Sequence, residues 1–385
     1  MMMASEWRSA KLGELVSFKT GKLDSNAAVP DGDYPFFTCS QDTFRTNTYS
    51  FDTECVLLGG NNANGIFPLK YFKGKFDAYQ RTYVIKPRDS EQLTTKFLYY
   101  ALRPKLSELR SFSTGAATKF LTLTILNETA IEIPSLDEQH RIAGILSTYD
   151  ELIENNQRRI RILEDMACNL YREWFVHFRY PGHESAPLVD SPLGQIPLGW
   201  EVKKLKEVCN LTMGSSPKSE FYNETGDGLP FHQGVTNFGD RFPTDRLFCT
   251  VESRIAEAGD ILFSVRAPVG RMNITDKKII IGRGLSAIHH KAGHQAFLWE
   301  QLRAKFTEED MMGNGAIFAS VTKDDMQGIE LLCPAEQIIK AATRYFKPLH
   351  AEIEVLIKQT ANLRHTRDLL LPRLLSGQIV LIKST

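Results

Sequence analysis

The side chains that could do chemistry in this 385-residue chain gather in two basic windows. Residues 57–88 hold Lys70, Lys73, Lys75, Arg81, Lys86 and Arg88 against one acid, Asp77; residues 262–293 hold Arg266, Arg271, Lys277, Lys278, Arg283 and Lys291 against Asp276 alone. Each window carries a loop of hydrogen-bonding groups. In the first it reads Gly59-Gly60-Asn61-Asn62-Ala63-Asn64-Gly65, and in the second Ser264-Val265-Arg266-Ala267-Pro268-Val269-Gly270. Lys and Arg neutralise phosphates, whereas the paired donors and acceptors of Asn, Gln and Arg match base edges. The candidate contacts in the first half are Asn61, Asn62, Asn64, Lys70, Lys73, Lys75, Gln80, Arg81 and Lys119. In the second half they are Ser215, Lys218, His232, Gln233, Arg266, Arg271, Lys277 and Arg283. The Asn-rich loop has a plainer alternative, because Asn and Gly also supply the positive φ of ordinary turns.

Three motifs imitate catalysis. Asp137-Glu138-Gln139-His140 spells a helicase-like D-E-x-H, but no G-x-x-x-x-G-K-[ST] loop exists to hold a nucleotide, and an acidic first helical turn explains it. Asp190 with Glu201 and Lys203 resembles a nuclease set, yet it spans a Pro/Gly-rich linker that does not converge carboxylates on a metal. His290 and His294, four apart, could share a helix face and with His289 make a metal site, but no third class of ligand stands nearby. Neither an N-P-P-Y-like amino-methylation motif nor a G-x-G-rich cofactor loop is present. The sequence therefore assigns no catalytic residue and no metal ligand.

Composition bounds these readings. The 46 basic residues equal the 46 acidic ones, so a nucleic-acid surface must be local. Hydrophobic residues at 42% and charged residues at 24% are ordinary for a globular protein. No apolar run approaches the roughly 18 residues of a membrane span, and residues 1–8 lack a signal-peptide core. Six scattered cysteines without C-x-x-C spacing point to reduced thiols and a cytoplasmic location.

The elements that must carry the windows are duplicated. Trp7, Lys11, Leu12 and Glu14 recur in register as Trp200, Lys204, Leu205 and Glu207, and a glycine follows in both copies, Gly21 and Gly214. Gly115-Ala116 recurs as Gly315-Ala316 and Thr122 as Thr322; Glu138-Gln139 is matched to Glu336-Gln337. Within the windows, Asn61 falls on Arg266, and Tyr79-Gln80-Arg81-Thr82 falls on Gly282-Arg283-Gly284-Leu285. Apolar runs at 55–58, 82–86, 260–265 and 278–281 read as strands, while 97–102 and 297–306 read as short helices.

A long helix follows each module. Apolar steps of three and four run through Ile142, Leu146, Tyr149, Ile153, Asn156, Ile160, Leu163, Ala167 and Leu170, and again through Ala342, Phe346, Leu349, Ile353, Leu356, Thr360, Leu363 and Leu370. Asn156 is either a tolerated polar position or one that sets register. Neither stripe can be buried alone, so the two helices, each roughly 60 Å long, should pair antiparallel and hold the modules apart. The fold class read here is α+β: two repeated β-rich domains separated by two long antiparallel coiled-coil helices. The segments are 1–137, first module; 138–180, central helix and spacer; 181–199, linker; 200–335, second module; and 336–385, the last helix.

The chain resembles the DNA-specificity subunit of type I restriction–modification systems. The likeness rests on Trp200 to Glu207, Gly214-Ser215-Ser216-Pro217-Lys218, Gly228-Leu229-Pro230-Phe231, residues 259–270 and Asp137-Glu138-Gln139-His140-Arg141-Ile142, together with the duplicated layout. It covers residues 7–381. The first module shows Gly59 to Gly65 where the family more commonly has Ser-x-Arg-Gly/Ala-x-x-Gly. The resemblance implies two target-recognition domains reading a split, asymmetric site on double-stranded DNA. It also implies two docked methyltransferase subunits and, in the full complex, restriction–translocase subunits. S-adenosylmethionine, ATP and Mg would then reside on those partners, with no cofactor on this chain. A protein-interaction scaffold whose modules bind something other than DNA is the alternative.

Overall fold

The computed structural model describes residues 7–63, 65–115, 118–311, 320–379 and 381. Asn64, Ala116, Gly315 and Ala316 lie outside them. The chain forms two compact units, 1–153 with 362–385, and 154–361. These limits cut through both long helices, so each unit holds one module and a stretch of each helix.

In the first unit, six strands hydrogen-bond in the order Val16–Thr20, Thr82–Pro87, Phe51–Gly59, Leu69–Ala78, Tyr34–Phe37, Thr43–Thr46. The apolar run at 55–58 is strand with both faces buried, which is why it does not alternate. Val56 and Leu58 enter a core with Leu12, Val16, Phe97 and Leu98. Cys55 and Leu57 face the other way, toward Phe37, Phe76 and Val84. The second unit repeats this with Ile261 and Phe263 on one side and Leu262 on the other. One difference is local. The ten-residue strand Leu69–Ala78 corresponds to two strands, Met272–Ile274 and Ile279–Ile281, interrupted where Thr275 Oγ1 donates to Lys277 O at 2.6 Å. The six-stranded sheet of the first unit thus corresponds to sheets of four and five strands in the second.

The duplication holds at the level of single hydrogen bonds. Arg8–Lys11 pairs with Ala130–Ile133 as Glu201–Lys204 pairs with Glu330–Cys333. Leu12 N donates to Thr129 O as Leu205 N donates to Ile329 O, at 2.9 and 2.8 Å. Thr122 and Thr322 both cap the next helix, a hydroxyl accepting from the N–H three residues on. One pairing needs correction. The long helices begin with Gln139 N on Ser135 O and Ile339 N on Ala335 O, so Gln139 corresponds to Ile339 and not to Gln337. A buried amide carries out local work in the first copy: the Gln139 side chain accepts from Thr94 N and donates to Gln92 O and Pro134 O.

The long helices are Leu136–Tyr171 and Glu336–Leu375. A π turn, Arg172–Val176, follows the first, and Phe178 then takes positive φ, 58°. In the first unit Ile142, Ala143 and Leu146 share a core with Leu371 and Leu374, and Asp150 binds Arg367. In the second, Ala167 and Tyr171 share a core with Ile339, Ala342 and Phe346, while Arg159 binds Glu352. Higher numbers on one helix meet lower numbers on the other, so the pairing is antiparallel in each unit. Ile153, Asn156, Ile353, Leu356 and Thr360 are buried, and Tyr149, Ile160, Leu163, Leu349 and Leu363 are half-buried. Tyr171 and Leu371 are buried deeper than Leu170 and Leu370, the one-residue drift expected of a 3.6-residue helix against a 3.5-residue repeat. Among the described residues no helix is long and apolar enough to cross a membrane.

Candidate nucleic-acid interface

Each module builds its exposed loops onto one scaffold. Gly21 N donates to Thr82 O and Gly214 N to Leu285 O. A Cβ on Gly21 would lie 1.8 Å from Ala78 O, and one on Gly214 would lie 2.1 Å from Gly282 O, so backbone contact explains the recurring glycine. Beside it runs a tight turn in which Thr82 N donates to Tyr79 O and Leu285 N to Gly282 O. The turn is tied to the loop by Gly60 N on Arg81 O in one copy and Val265 N on Gly284 O in the other, at 2.8 and 2.9 Å. The far side is tied by Leu121 N on Gly60 O and by Val321 N on Val265 O. Asn61 and Arg266 therefore occupy equivalent positions, as do Gln80 and Arg283.

In the first module these ties gather Asn61, Asn62, Gln80, Arg81 and Lys119. Asn61–Asn62 pairs with Lys119–Phe120, and the Arg81 guanidinium lies over the Phe120 ring at 5.6 Å. Gln80 and Arg81 are exposed; Asn61, Asn62 and Lys119 are half-buried. The structure adds a cation that no motif announced. Arg110 Nε stands 3.3 Å from where a Gly65 Cβ would be, with the Lys119 stem at the same distance. Arg110 belongs to a short helix outside the basic window, so only folding brings it to the loop. Lys70, Lys73 and Lys75 lie along the strand Leu69–Ala78 and have other partners. Lys70 Nζ donates to Asp42 O at 2.7 Å and Thr43 Oγ1 at 3.0 Å, and burial lowers its pKa. Lys73 is 3.5 Å from Glu54, and Lys75 lies over Tyr49.

In the second module Ser215, Gln233, Arg266 and Arg283 converge, all exposed. Arg283 N donates to Ser216 Oγ, Ser215 N to Ile281 O, and Gly284 N to Gln233 O. Arg271 flanks the base of the loop, its N–H donating to Ser264 Oγ at 2.9 Å. Lys218 is exposed beside Glu220 at 3.8 Å. His232 does not reach the surface. It is fully buried, its Nε2 lies 3.0 Å from Asp245 Oδ1, and Asp245 Oδ2 accepts from Lys277 at 2.7 Å. Burial lowers the His232 pKa, and the Asp245 hydrogen bond partly restores it. His232 thus supports the turn from beneath, its carbonyl accepting from Gly282 N, and Lys277 is anchored to the same acid. Phe37 stands at the equivalent place in the first module, its carbonyl accepting from Tyr79 N.

The histidines of the 289–294 stretch have local partners. His289 Nδ1 is 2.8 Å from Asp260, and His294 Nε2 is 3.1 Å from Glu336. Among the described residues no group of three His, Cys, Asp or Glu could hold a metal ion.

Two copies of one basic scaffold, each presenting a different set of hydrogen-bonding side chains in the same slots, define a duplicated recognition protein. Comparison with known proteins makes that specific. The family described as type I restriction modification DNA specificity domain matches residues 4–165 and 197–363, and the chain belongs to it. A putative type I restriction enzyme specificity subunit, MjaX, of Methanocaldococcus jannaschii is 32% identical over 335 residues, 86% of this chain and 74% of its own. The EcoDI specificity subunit of Escherichia coli is 40% identical over 155 residues, 40% of this chain and 34% of its own. The crystal structure of the S subunit from M. genitalium has the same fold, with a TM-score of 0.68 at 19% identity, covering 100% of this chain and 98% of that one. The chain is a DNA-specificity subunit; it binds DNA, assembles with other subunits of a type I restriction–modification complex, and is not itself catalytic.

Proposed function

We propose that the chain reads a bipartite, asymmetric DNA site, one half with each module, and that it does so in the cytoplasm. The observation that carries this is the equivalence of Asn61 with Arg266 and of Gln80 with Arg283 on a shared backbone scaffold. Asn and Gln pair with adenine in the major groove and Arg with guanine, so one scaffold with different readers implies different half-sites. Asn61, Asn62, Asn64, Gln80, Arg81, Lys119 and Arg110 serve the first half-site; Ser215, Gln233, Arg266 and Arg283 serve the second. Lys70, Lys73, Lys75, Lys218, Arg271 and Lys277 supply the phosphate-neutralising surround, and His232 supports its turn.

The helices dock two methyltransferase subunits, with restriction–translocase subunits added in the full complex. Exposed apolar side chains support docking: Ile162 and Met166, four residues apart, are each 52% exposed on the central helix. S-adenosylmethionine, ATP and Mg belong to those partners. The test is to map methylated bases in DNA from cells that express this chain with a methyltransferase partner. A gapped motif with two unlike halves is expected; methylation without such a motif refutes the reading.

A further inference from the structure

The two module–helix junctions use the same positions with the acid on opposite sides. The hydrogen bonds that open the module helices, Leu98 N on Thr94 O and Leu298 N on His294 O, align Tyr100 with Glu300 and Arg103 with Arg303. Those that open the long helices align Asp150 with His350. In the first unit the acid is on the long helix. Asp150 accepts from Tyr100 Oη at 2.7 Å and from Arg367 Nη1 at 2.6 Å, with Arg103 Nη1 3.6 Å away. Arg367 also fills the place where the apolar stripe of the last helix breaks between Leu363 and Leu370. In the second unit the acid is on the module: Glu300, 2% exposed, meets His350 Nε2 at 2.7 Å. Arg241, 3% exposed, stacks over Trp299 at 4.7 Å, just as Arg103 stacks over the equivalent Tyr99 at 5.7 Å.

We infer that these junctions are a charge key that ties each module to its own helix segments. The key is independent of what the modules bind. With Glu300 in the place of Tyr100, a second carboxylate would face Asp150 and compete with it for Arg367 and Arg103, and neighbouring like charges disfavour each other's ionised form. With Tyr100 in the place of Glu300, His350 Nε2 would lose the buried carboxylate it meets at 2.7 Å and Arg241 would lose one of the acids near it, and breaking a buried pair by removing one partner is destabilising. Each junction rejects the other's module.

The test is a double-substitution cycle on the full chain, read as the thermal unfolding midpoint. Y100E and D150H should each lower it by roughly 5 °C or more. The double variant rebuilds the acid-on-module arrangement of the second junction and should regain at least half of the summed loss. Y100F, which removes only the hydroxyl, should cost less than Y100E. Single variants within about 1 °C of the parent, or an additive double, overturn the key. If a single variant does not fold, a folded double supports the key and an unfolded double overturns it.

Discussion

Arg266 and Arg283 are the exposed cations of the second slot, neither one held by an acid among the described residues. Replacing either with Ala should weaken recognition of the second half-site about 5- to 160-fold, in line with about 1–3 kcal/mol for a bidentate pair, and leave the first half-site unchanged. Binding assays on duplexes altered in one half-site at a time check this; a uniform loss across sequences would mark them as phosphate contacts. His290 gives a pH prediction. Burial, with His294 and His289 beside it and Glu336 opposing, pushes its pKa down to about 4, and its Nδ1 accepts from Ala292 N. The folded value lies below the ordinary 6.5, so the unfolded chain binds the proton more readily. Stability is therefore present above about pH 6.5 and lost as pH falls toward 4. His290→Asn should remove its share of that decline in unfolding midpoint. An unchanged slope between those pH values would discount it.

At the level of elements, the paired helix segments depend on buried side chains. Leu356 is 1% exposed, whereas Leu163 is only half-buried. Leu356→Asn should destabilise the second unit by about 3 kcal/mol or more, and Leu163→Asn by less, because the first both opens a cavity and buries an amide. Chemical denaturation of the two variants measures the difference; equal small effects would contradict the packing. The strands teach a related lesson. Runs such as 55–58 are apolar without alternation because a module core lies on each face, and only their shortness and flanking turns separate them from helices in sequence.

For the whole molecule, neutrality and DNA binding are reconciled by placement: equal numbers of acids and bases, with each module keeping its basic window. Binding by the assembled complex should fall at least tenfold between 50 and 200 mM salt, since phosphate contacts release counterions. Salt-independent binding would mean that the basic windows do not face the backbone. The purified chain alone, given DNA, Mg and S-adenosylmethionine, should yield neither cleaved nor methylated product. By itself the sequence determined the duplication, the two long helices and the four apolar strand runs, and it marked the two loops proposed to read DNA. All of these are local patterns, set by apolar period, turn residues and direct repetition. Tertiary structure alone decided which polar groups stay at the surface. His232 looks like a ligand in sequence and is a buried support, whereas the Gln139 contacts, Arg110 and the Tyr100–Asp150 and Glu300–His350 pairs join residues far apart in the chain. A side chain's type states what it can bind; its burial and its partners, fixed only when distant segments pack, state what it does bind.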